Sequence, residues 1–239
     1  MSLRSYPFMQ ALLPPSSCAL CHQAITSRRW LCTACHSSLP QDRRHCLSCS
    51  APIINRHQQT QESRCGQCLI SPPSIDRLIS VFEYDYPIDW WITQFKFQQN
   101  TRLASWFGFQ IFQKIICDSG VNVDCLIPIP LHSKRLKMRG FNQSQLLARN
   151  LAKRLNLPYR LTSVKRIKPT QAQSGLSENA RRRNLNQAFS IVEAVAPRIA
   201  LIDDVYTTGS TVNSLAKAFK AAGCRYVEAW VIAQAPRKR

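Results

Sequence analysis

The sequence predicts an α/β fold, a mostly parallel sheet flanked by helices, preceded by a small zinc-ribbon module with four-cysteine metal sites. Beyond residue 76, short apolar stretches alternate with longer stretches of helical periodicity, which is the order of a parallel sheet with helical crossovers. Before residue 72, eight cysteines form four CxxC pairs, a spacing typical of zinc ribbons. We therefore place a double zinc-ribbon module at residues 1–72 and the α/β domain at 76–239.

The four CxxC pairs are interpreted as zinc-binding knuckles. Each pair can present two thiolates to one ion, so two pairs complete a tetrahedral site and four pairs bind two structural zinc ions. Redox chemistry and cross-braced pairing are the alternatives. We prefer sequential pairing, because ten residues separate the first two pairs and fifteen separate the last two, and both loops suit zinc ribbons. The predicted ligands are Cys18, Cys21, Cys32, Cys35, Cys46, Cys49, Cys65 and Cys68.

The cysteine content also bears on the cellular compartment. We find neither a secretory signal nor a transmembrane segment in the sequence. Reduced thiols are the rule in the cytosol, so metal binding is a better interpretation of the cysteines than disulfides. We expect a cytoplasmic protein, with peripheral attachment to the inner face of the cytoplasmic membrane as an option.

The elements of the α/β domain follow the stiff linker at Pro72 and Pro73. Seven aromatic residues of the first two helices are expected to belong to the core and domain interface rather than to stack on bases. They are Trp90, Trp91, Phe95, Phe97, Trp106, Phe107 and Phe112. In chain order we predict a strand at 78–84, helices at 88–97 and 102–117, a strand at 123–129, a helix at 142–156, strands at 159–164 and 189–192, the strand 199–202 with the helix after it, and a last strand at 227–233.

The stretch IALIDDVYTTGST, residues 199–211, is the most informative in the chain. Its four apolar residues predict a buried strand, and Asp203 and Asp204 stand at the end of that strand. The turn 207–211 then opens onto a helix, an arrangement that binds phosphate because free N–H groups and hydroxyls point outward. Paired acids beside it suit ribose hydroxyls or a metal. Strand-end aspartates with an ordinary N-cap are the alternative.

Two other polar segments lie beside predicted strands. In IPIPLHSKR, residues 127–135, two prolines stiffen a turn whose amides could face an anion. The segment 168–189 is longer and more polar than an ordinary connection, which indicates a functional loop.

The net charge of +19 is concentrated in one segment. Residues 134–183 contain 14 Lys and Arg but a single acid, Glu178. A charge run is usually a solvated face, yet this density exceeds what a small phosphorylated ligand requires. It predicts a polyanionic partner, either nucleic acid or an anionic membrane surface.

The motifs together resemble a known family. All thirteen positions of 199–211 fit the phosphoribosyl pyrophosphate (PRPP) motif of type I phosphoribosyltransferases, and 127–135 resembles a pyrophosphate loop of amidophosphoribosyltransferase-like domains. With the knuckles, the PPSID linker, RGFNQ at 139–143 and QSGLSxxxRxxN, the chain is identified as a member of the ComF family. These proteins are phosphoribosyltransferase-like and similar to components of DNA uptake in natural competence.

The resemblance implies a type I phosphoribosyltransferase-like domain that binds PRPP with Mg²⁺. It implies that Asp203 and Asp204 contact the ribose hydroxyls and, with Lys134 and Arg135, serve catalysis. The 5′-phosphate would be held by Thr207, Thr208, Gly209, Ser210 and Thr211. The pyrophosphate loop would comprise Leu131, His132, Ser133, Lys134 and Arg135, and a hood loop that closes over PRPP would include Arg181, Arg182, Arg183 and Asn184.

Three functions are consistent with these features. The preferred one is a PRPP-binding protein of natural competence, with single-stranded DNA and a competence helicase or inner-membrane DNA-uptake machinery as partners and with phosphoribosyl transfer to an unknown acceptor as its reaction. An orphan phosphoribosyltransferase of nucleobase salvage is the second. The third is a non-catalytic DNA-binding or scaffold protein with a vestigial PRPP site.

Overall fold

The computed structural model describes most of the α/β domain and parts of the cysteine-rich segment. Its contacts divide the chain into two units, Met1–Leu39 and Pro40–Arg239. The second group of four cysteines falls in the second unit in this division. The described residues are 17–25, 30–40, 46–49, 64–97, 101–118, 120–131, 133–161, 164–166, 189–191 and 195–235.

The first unit contains a short helix and a bridge. Helix α1, Thr33–Ser37, begins after Cys32, whose sulfur accepts a hydrogen bond from the N–H of Cys35. An isolated antiparallel bridge joins Ser17 and Ala24 on either side of the first knuckle. This is the local geometry of a CxxC turn, in which backbone N–H groups point at sulfur.

The second unit is built on a four-stranded parallel sheet, which confirms the predicted fold class. The sheet has the order β1-β6-β5-β2, and a separate antiparallel pair is formed by β3 and β4. The strands are β1 (Arg77–Glu83), β2 (Cys125–Pro128), β3 (Val164–Arg166), β4 (Phe189–Ile191), β5 (Arg198–Tyr206) and β6 (Tyr226–Gln234). The helices are α2 (Gly66–Ile70), α3 (Ile88–Phe97), α4 (Thr101–Asp118), α5 (Ser133–Arg139), α6 (Gln143–Leu155) and α7 (Ser210–Ala221).

The central strands are apolar on both faces, because helices cover both sides of the sheet. Helix α4 packs against β1 and β6, and α6 packs against β2 and β5. Helix α7 packs on β6 and β4 through Val212, Leu215, Ala216 and Phe219. None of the helices within the described residues has the length and apolarity that crossing a bilayer would require.

The aromatic residues of α3 and α4 belong mainly to the core, as expected. Trp106 stacks on Phe82 and meets Trp91 edge-on, with ring centroids 5.8 and 5.3 Å apart. Three aromatic residues of these helices are exposed instead, Trp90 at 51%, Phe97 at 61% and Phe109 at 38%.

The outer edge of β1 is covered by residues from the second cysteine-rich segment. The N–H of Leu78 donates to the carbonyl of Leu47 at 2.9 Å, and the N–H of Glu83 donates to that of Pro40 at 2.8 Å. These bonds satisfy donors that an open sheet edge would leave to solvent or to another chain.

Residues 159–161, the described part of the strand predicted at 159–164 that precedes β3, do not form a strand. Tyr159 forms only an isolated bridge with Leu126, and β3 begins at Val164 in a different sheet. Leu126 exchanges hydrogen bonds with Pro158 and Arg160. The next β2 residue facing that side is Pro128, and a ladder does not extend past it because proline has no N–H.

Two other boundaries differ from the prediction. Strand β5 continues through both aspartates to Tyr206, because it stays paired with β6 as far as Gln234. The segment after the turn at Pro130 forms a helix, α5, none of whose residues is buried. Its lack of an apolar face left no periodicity from which to predict it.

Candidate functional site

A cleft of about 240 Å³ opens at the carboxyl ends of β2 and β5. The ladder between these strands ends at the pair Pro128 and Ile202, with a last bond from Ile129 N–H to the Ile202 carbonyl. Strand β5 extends beyond the end of β2, so Asp203 and Asp204 have no β2 partner and border the cleft. Ligands of parallel α/β sheets bind at such strand ends.

The two aspartates are held by different partners. The hydroxyl of Ser144 and the N–H of Asp204 both donate to Asp203 Oδ1 at 2.9 Å. Lys96 Nζ lies 3.2 Å from Asp204 Oδ2. Residues of α3 and α6 thus fix the acidic pair, and both carboxylates are oriented by the protein itself.

Burial raises the pKa of Asp203 from 3.8 to about 7, and the charge of Asp204 adds to the rise. The N–H of Asp204, the hydroxyl of Ser144 and the ammonium of Lys96 act in the opposite direction. Binding of a ligand or a metal ion to Asp203 would therefore depend on pH near neutrality.

The turn before α7 completes the opposite wall of the cleft. Residues 207–211 all line the cleft, and Thr208 and Ser210 share a hydrogen bond of 2.7 Å between their hydroxyls. Gly209 has φ +71°, a conformation that favours glycine, and a Cβ there would overlap the hydroxyl of Tyr206. The close approach explains why glycine stands at the N-cap of α7, where the free N–H groups of a helix favour anions.

The pyrophosphate-loop residues are only partly brought to the cleft. Leu131 and Arg135 line it, whereas Ser133 and Lys134 are exposed on α5 and are not among its lining residues. His132 and the hood-loop residues Arg181, Arg182, Arg183 and Asn184 lie outside the described residues.

The structure adds residues that the sequence analysis missed. Lys96, Arg139, Gln143 and Ser144 line the cleft beside the aspartates. Arg139 and Gln143 belong to RGFNQ and Ser144 follows it, so this motif could have indicated that they lie at the site. Nothing in the sequence linked Lys96 to this site, because the contact depends on how α3 packs.

The eight cysteines form two groups of four, Cys18, Cys21, Cys32 and Cys35, and Cys46, Cys49, Cys65 and Cys68. This is the sequential arrangement rather than the cross-braced one. None of these eight cysteines is part of a disulfide. The Sγ atoms of Cys21 and Cys32 are 3.8 Å apart and those of Cys49 and Cys65 are 3.7 Å apart. Sulfurs about 2.3 Å from a tetrahedral ion are roughly 3.8 Å from one another, so both groups fit zinc.

In the second group, burial raises the pKa of the Cys68 thiol to about 11, whereas the pKa of Cys46 is lowered. Hydrogen bonding from the thiol of Cys49 is the main cause that lowers the pKa of Cys46 to about 4, and backbone N–H groups add to it against the effect of burial. Thiolates are the form in which cysteine binds zinc. Both groups are therefore consistent with structural Zn²⁺.

The chain is similar to a known zinc-binding domain and to several competence and DNA utilization proteins. Residues 8–69 match the double zinc ribbon domain. The chain is 34% identical to competence protein F of Haemophilus influenzae over 74% of this chain and 81% of that protein. It is 32% identical to DNA utilization protein YhgH of Escherichia coli O157:H7 over 92% of this chain and 98% of that protein. It is also 32% identical to competence protein ComFC of Bacillus subtilis over 60% and 58%.

Similarity to solved structures is weak. Glutamine PRPP amidotransferase from B. subtilis is similar at a TM-score of 0.37 and 18% identity, over 54% of this chain and 25% of that one. Adenine phosphoribosyl transferase from Trypanosoma brucei has a TM-score of 0.37 and 14% identity, over 57% of this chain and 66% of that one. By its sequence relatives and its paired cysteine groups, the chain belongs to the ComF family, which includes competence protein F, ComFC and YhgH, and carries the N-terminal double zinc ribbon.

Proposed function

We propose that this protein binds PRPP in the cleft at the ends of β2 and β5 and acts in natural competence, with single-stranded DNA as a second partner. The observation that carries the proposal is the juxtaposition of Asp203 and Asp204 with the turn 207–211 around one cleft. Carboxylates suit vicinal hydroxyls, and the turn with the start of α7 suits a phosphate.

The proposed pose follows from the chemistry of the walls. The ribose hydroxyls face Asp203 and Asp204, and the 5′-phosphate lies at 207–211. The pyrophosphate lies toward Leu131 and Arg135, because Arg135 and Arg139 bring positive charge to that side of the cleft. The assignments of His132 and Lys134 to the pyrophosphate and of 181–184 to the hood remain predictions.

Magnesium fits the donor set of this site. Oxygen ligands from one or two carboxylates and from phosphates are what Mg²⁺ prefers, and Asp203 and Asp204 would supply the carboxylates. Bound there, the ion would neutralise charge on the pyrophosphate. Lys96 already pairs with Asp204, so Asp203 is the less compensated of the two.

The proposed reaction is transfer of the phosphoribosyl group to an unknown acceptor. The bond between ribose C1 and the pyrophosphate oxygen would break, the acceptor would bond to C1, and its proton would leave to solvent. Asp203 and Asp204 would support the positive charge that develops on the ribose, while Arg135 and Lys134 would stabilise the departing pyrophosphate. Closure of the hood would exclude water from the ribosyl centre.

The competence role is supported by the relatives and by charge. Competence protein F and ComFC are named for competence, and YhgH for DNA utilization. Helix α5 has no acidic residue and carries four cations, of which Lys134, Arg135 and Lys137 are exposed. Such a surface suits a phosphate backbone without regard to sequence. A competence helicase or the inner-membrane uptake machinery would be the protein partner.

The testing experiment is calorimetric titration of Mg²⁺–PRPP into the wild type and into the double variant Asp203→Asn, Asp204→Asn. We expect saturable binding that the double variant loses. Replacement of Asp118, an aspartate of α4 outside the cleft, by Asn is the control and should leave binding unchanged. Absence of binding by the wild type would refute PRPP binding and leave the DNA-binding alternative.

A second titration tests the DNA partner. Fluorescence anisotropy with a labelled oligonucleotide should show affinity that falls steeply between low and moderate salt. Replacement of Arg181, Arg182 and Arg183 by Ala should weaken binding of DNA or PRPP. An unchanged result for both ligands would contradict the hood-loop assignment.

A further inference from the structure

The cation that contacts the acidic pair is not one of those predicted from the sequence. Lys96 Nζ lies 3.2 Å from Asp204 Oδ2, with the side chains only 21% and 13% exposed. Among the residues that the structure describes, no other cation lies within ion-pair distance of either aspartate. Lys134, by contrast, is exposed on α5 and away from the cleft lining.

The RGFNQ motif explains why Lys96 lies there. Gln143 is 1% exposed, and its Nε2 donates to the carbonyl of Lys96 at 3.0 Å. Its Oε1 accepts from Arg139 Nη1 at 3.2 Å, and the Arg139 guanidinium lies 5.4 Å from the ring centroid of Phe97. The motif thus holds both Lys96 and the residue after it, so the end of α3 is attached to the start of α6.

The same motif orients the other walls of the cleft. Asn142 Nδ2 donates to the carbonyl of Ile129 at 3.0 Å, which fixes the turn after β2. Asn142 Oδ1 accepts from the N–H of Ser144, whose hydroxyl donates to Asp203. Asn142, Gln143 and Ser144 therefore bond to the turn after β2, to the end of α3 and to β5. Lys96 is the charged residue that these bonds hold at the cleft.

Positive charge beside the acidic pair has a physical role in addition to that of Mg²⁺ and the cleft arginines. A site that presents two carboxylates to a polyanion repels its ligand unless positive charge compensates them. A lysine ammonium has three donors, so it can keep its bond to Asp204 and still donate to a phosphate oxygen. Its flexible stem allows the ammonium to follow a ligand that enters the cleft.

We propose that Lys96 is a ligand-binding residue of the cleft: its ammonium compensates Asp204 in the free protein and contacts a phosphate of the phosphorylated ribose in the bound one. Gln143 is the positioning residue that holds Lys96 there. This inference rests on the proposed binding of PRPP. It identifies Lys96 as the residue whose charge reduces the repulsion between the acidic pair and an anionic ligand.

The test combines substitution with footprinting. Calorimetry of Mg²⁺–PRPP is carried out on the wild type, Lys96→Gln, Lys96→Arg and Lys114→Gln. Lys114 is the matched control, because it makes an ion pair of the same 3.2 Å with Asp118 on α4, outside the cleft. We expect Lys96→Gln to weaken binding by about tenfold or more, as loss of a charged hydrogen bond does, and Lys96→Arg to restore most of it. Lys114→Gln should bind like the wild type.

Reductive methylation of lysines, read by mass spectrometry, supplies a measurement on the unsubstituted protein. Mg²⁺–PRPP should slow methylation of Lys96 and leave Lys114 unchanged. The variant Gln143→Glu keeps an acceptor for Arg139 but removes the donor to the carbonyl of Lys96. In this variant without ligand, Lys96 should be methylated faster than in the wild type.

The outcomes separate the two proposals. If the wild type does not bind PRPP, the proposed function fails and the ligand contact of Lys96 fails with it. If the wild type binds PRPP but Lys96→Gln binds equally well, or Lys96 is not protected by the ligand, only the present inference is overturned.

Discussion

The raised pKa of Asp203 predicts that the functional site costs stability in a pH-dependent way. The perturbation is Asp203→Asn, which keeps an oxygen that can accept from Ser144 and removes the charge. The folded protein binds the proton more tightly than the unfolded chain, because the pKa rises from 3.8 to about 7 on folding. Stability contributed by this proton is fully present below pH 4 and is lost as the pH rises through 7.

The magnitude follows from the shift. About three pKa units at 1.36 kcal/mol each give a ceiling of about 4 kcal/mol. Water in the cleft and the shared titration with Asp204 reduce this, and we expect about 2 kcal/mol. Asp203→Asn should therefore be more stable than the wild type at pH 8 by roughly this amount, and the difference should shrink toward pH 5.

The assay is urea unfolding at pH 5, 6, 7 and 8 with zinc present. Tryptophan fluorescence reports the α/β domain, because four of the five tryptophans, Trp90, Trp91, Trp106 and Trp230, lie in it. Asp118→Asn serves as the control for removal of a carboxylate outside the cleft. A variant that is less stable than the wild type at pH 8, or a difference that does not vary with pH, would refute the reasoning.

Three further predictions concern the turn, the zinc and the basic helix. Gly209→Ala should destabilise the fold by several kcal/mol and abolish PRPP binding, whereas Gly223→Ala, also at positive φ but with nothing within 4 Å, should cost only about 1–2 kcal/mol; thermal and urea unfolding check this. Chelation of zinc should speed hydrogen exchange at β1, whose edge N–H groups are bonded to the second cysteine-rich segment, while β5 stays protected; equal exchange with and without metal would contradict it. Replacing Lys134 and Lys137 by Ala should weaken single-stranded DNA binding and reduce the salt slope by roughly 1.4, which anisotropy at several salt concentrations measures.

Local patterns were sufficient to predict that the acidic pair and the turn 207–211 lie together at the end of a strand. The strand, the carboxylates, the turn and the start of the helix follow one another within 199–211. Segments so close in the chain remain close in the folded structure. The CxxC pairs are similarly local, and proximity in the chain favoured the sequential grouping that the structure shows.

Long-range packing explains what the sequence did not reveal. Lys96 meets Asp204 only because Gln143 attaches the end of α3 to α6, and no periodicity encodes such a contact. The strand expected at 159–164 had suitable residues, but its neighbour β2 ends in a proline and offers it a single bridge. The length of β5 likewise depends on its partner β6 rather than on its own residues.

The position of β6 has a consequence for synthesis of the protein. This strand, Tyr226–Gln234, lies between β1 and β5, pairing Arg77 with Glu228 on one side and Ile202 with Trp230 on the other. A ribosome delivers β1 long before β6 and β5 only shortly before it. The edges of β1 and β5 that pair with β6 therefore stay open until this last strand inserts. The cleft therefore acquires its geometry only after the chain beyond Asp204 has emerged, and a product truncated before Tyr226 would expose two aggregation-prone edges.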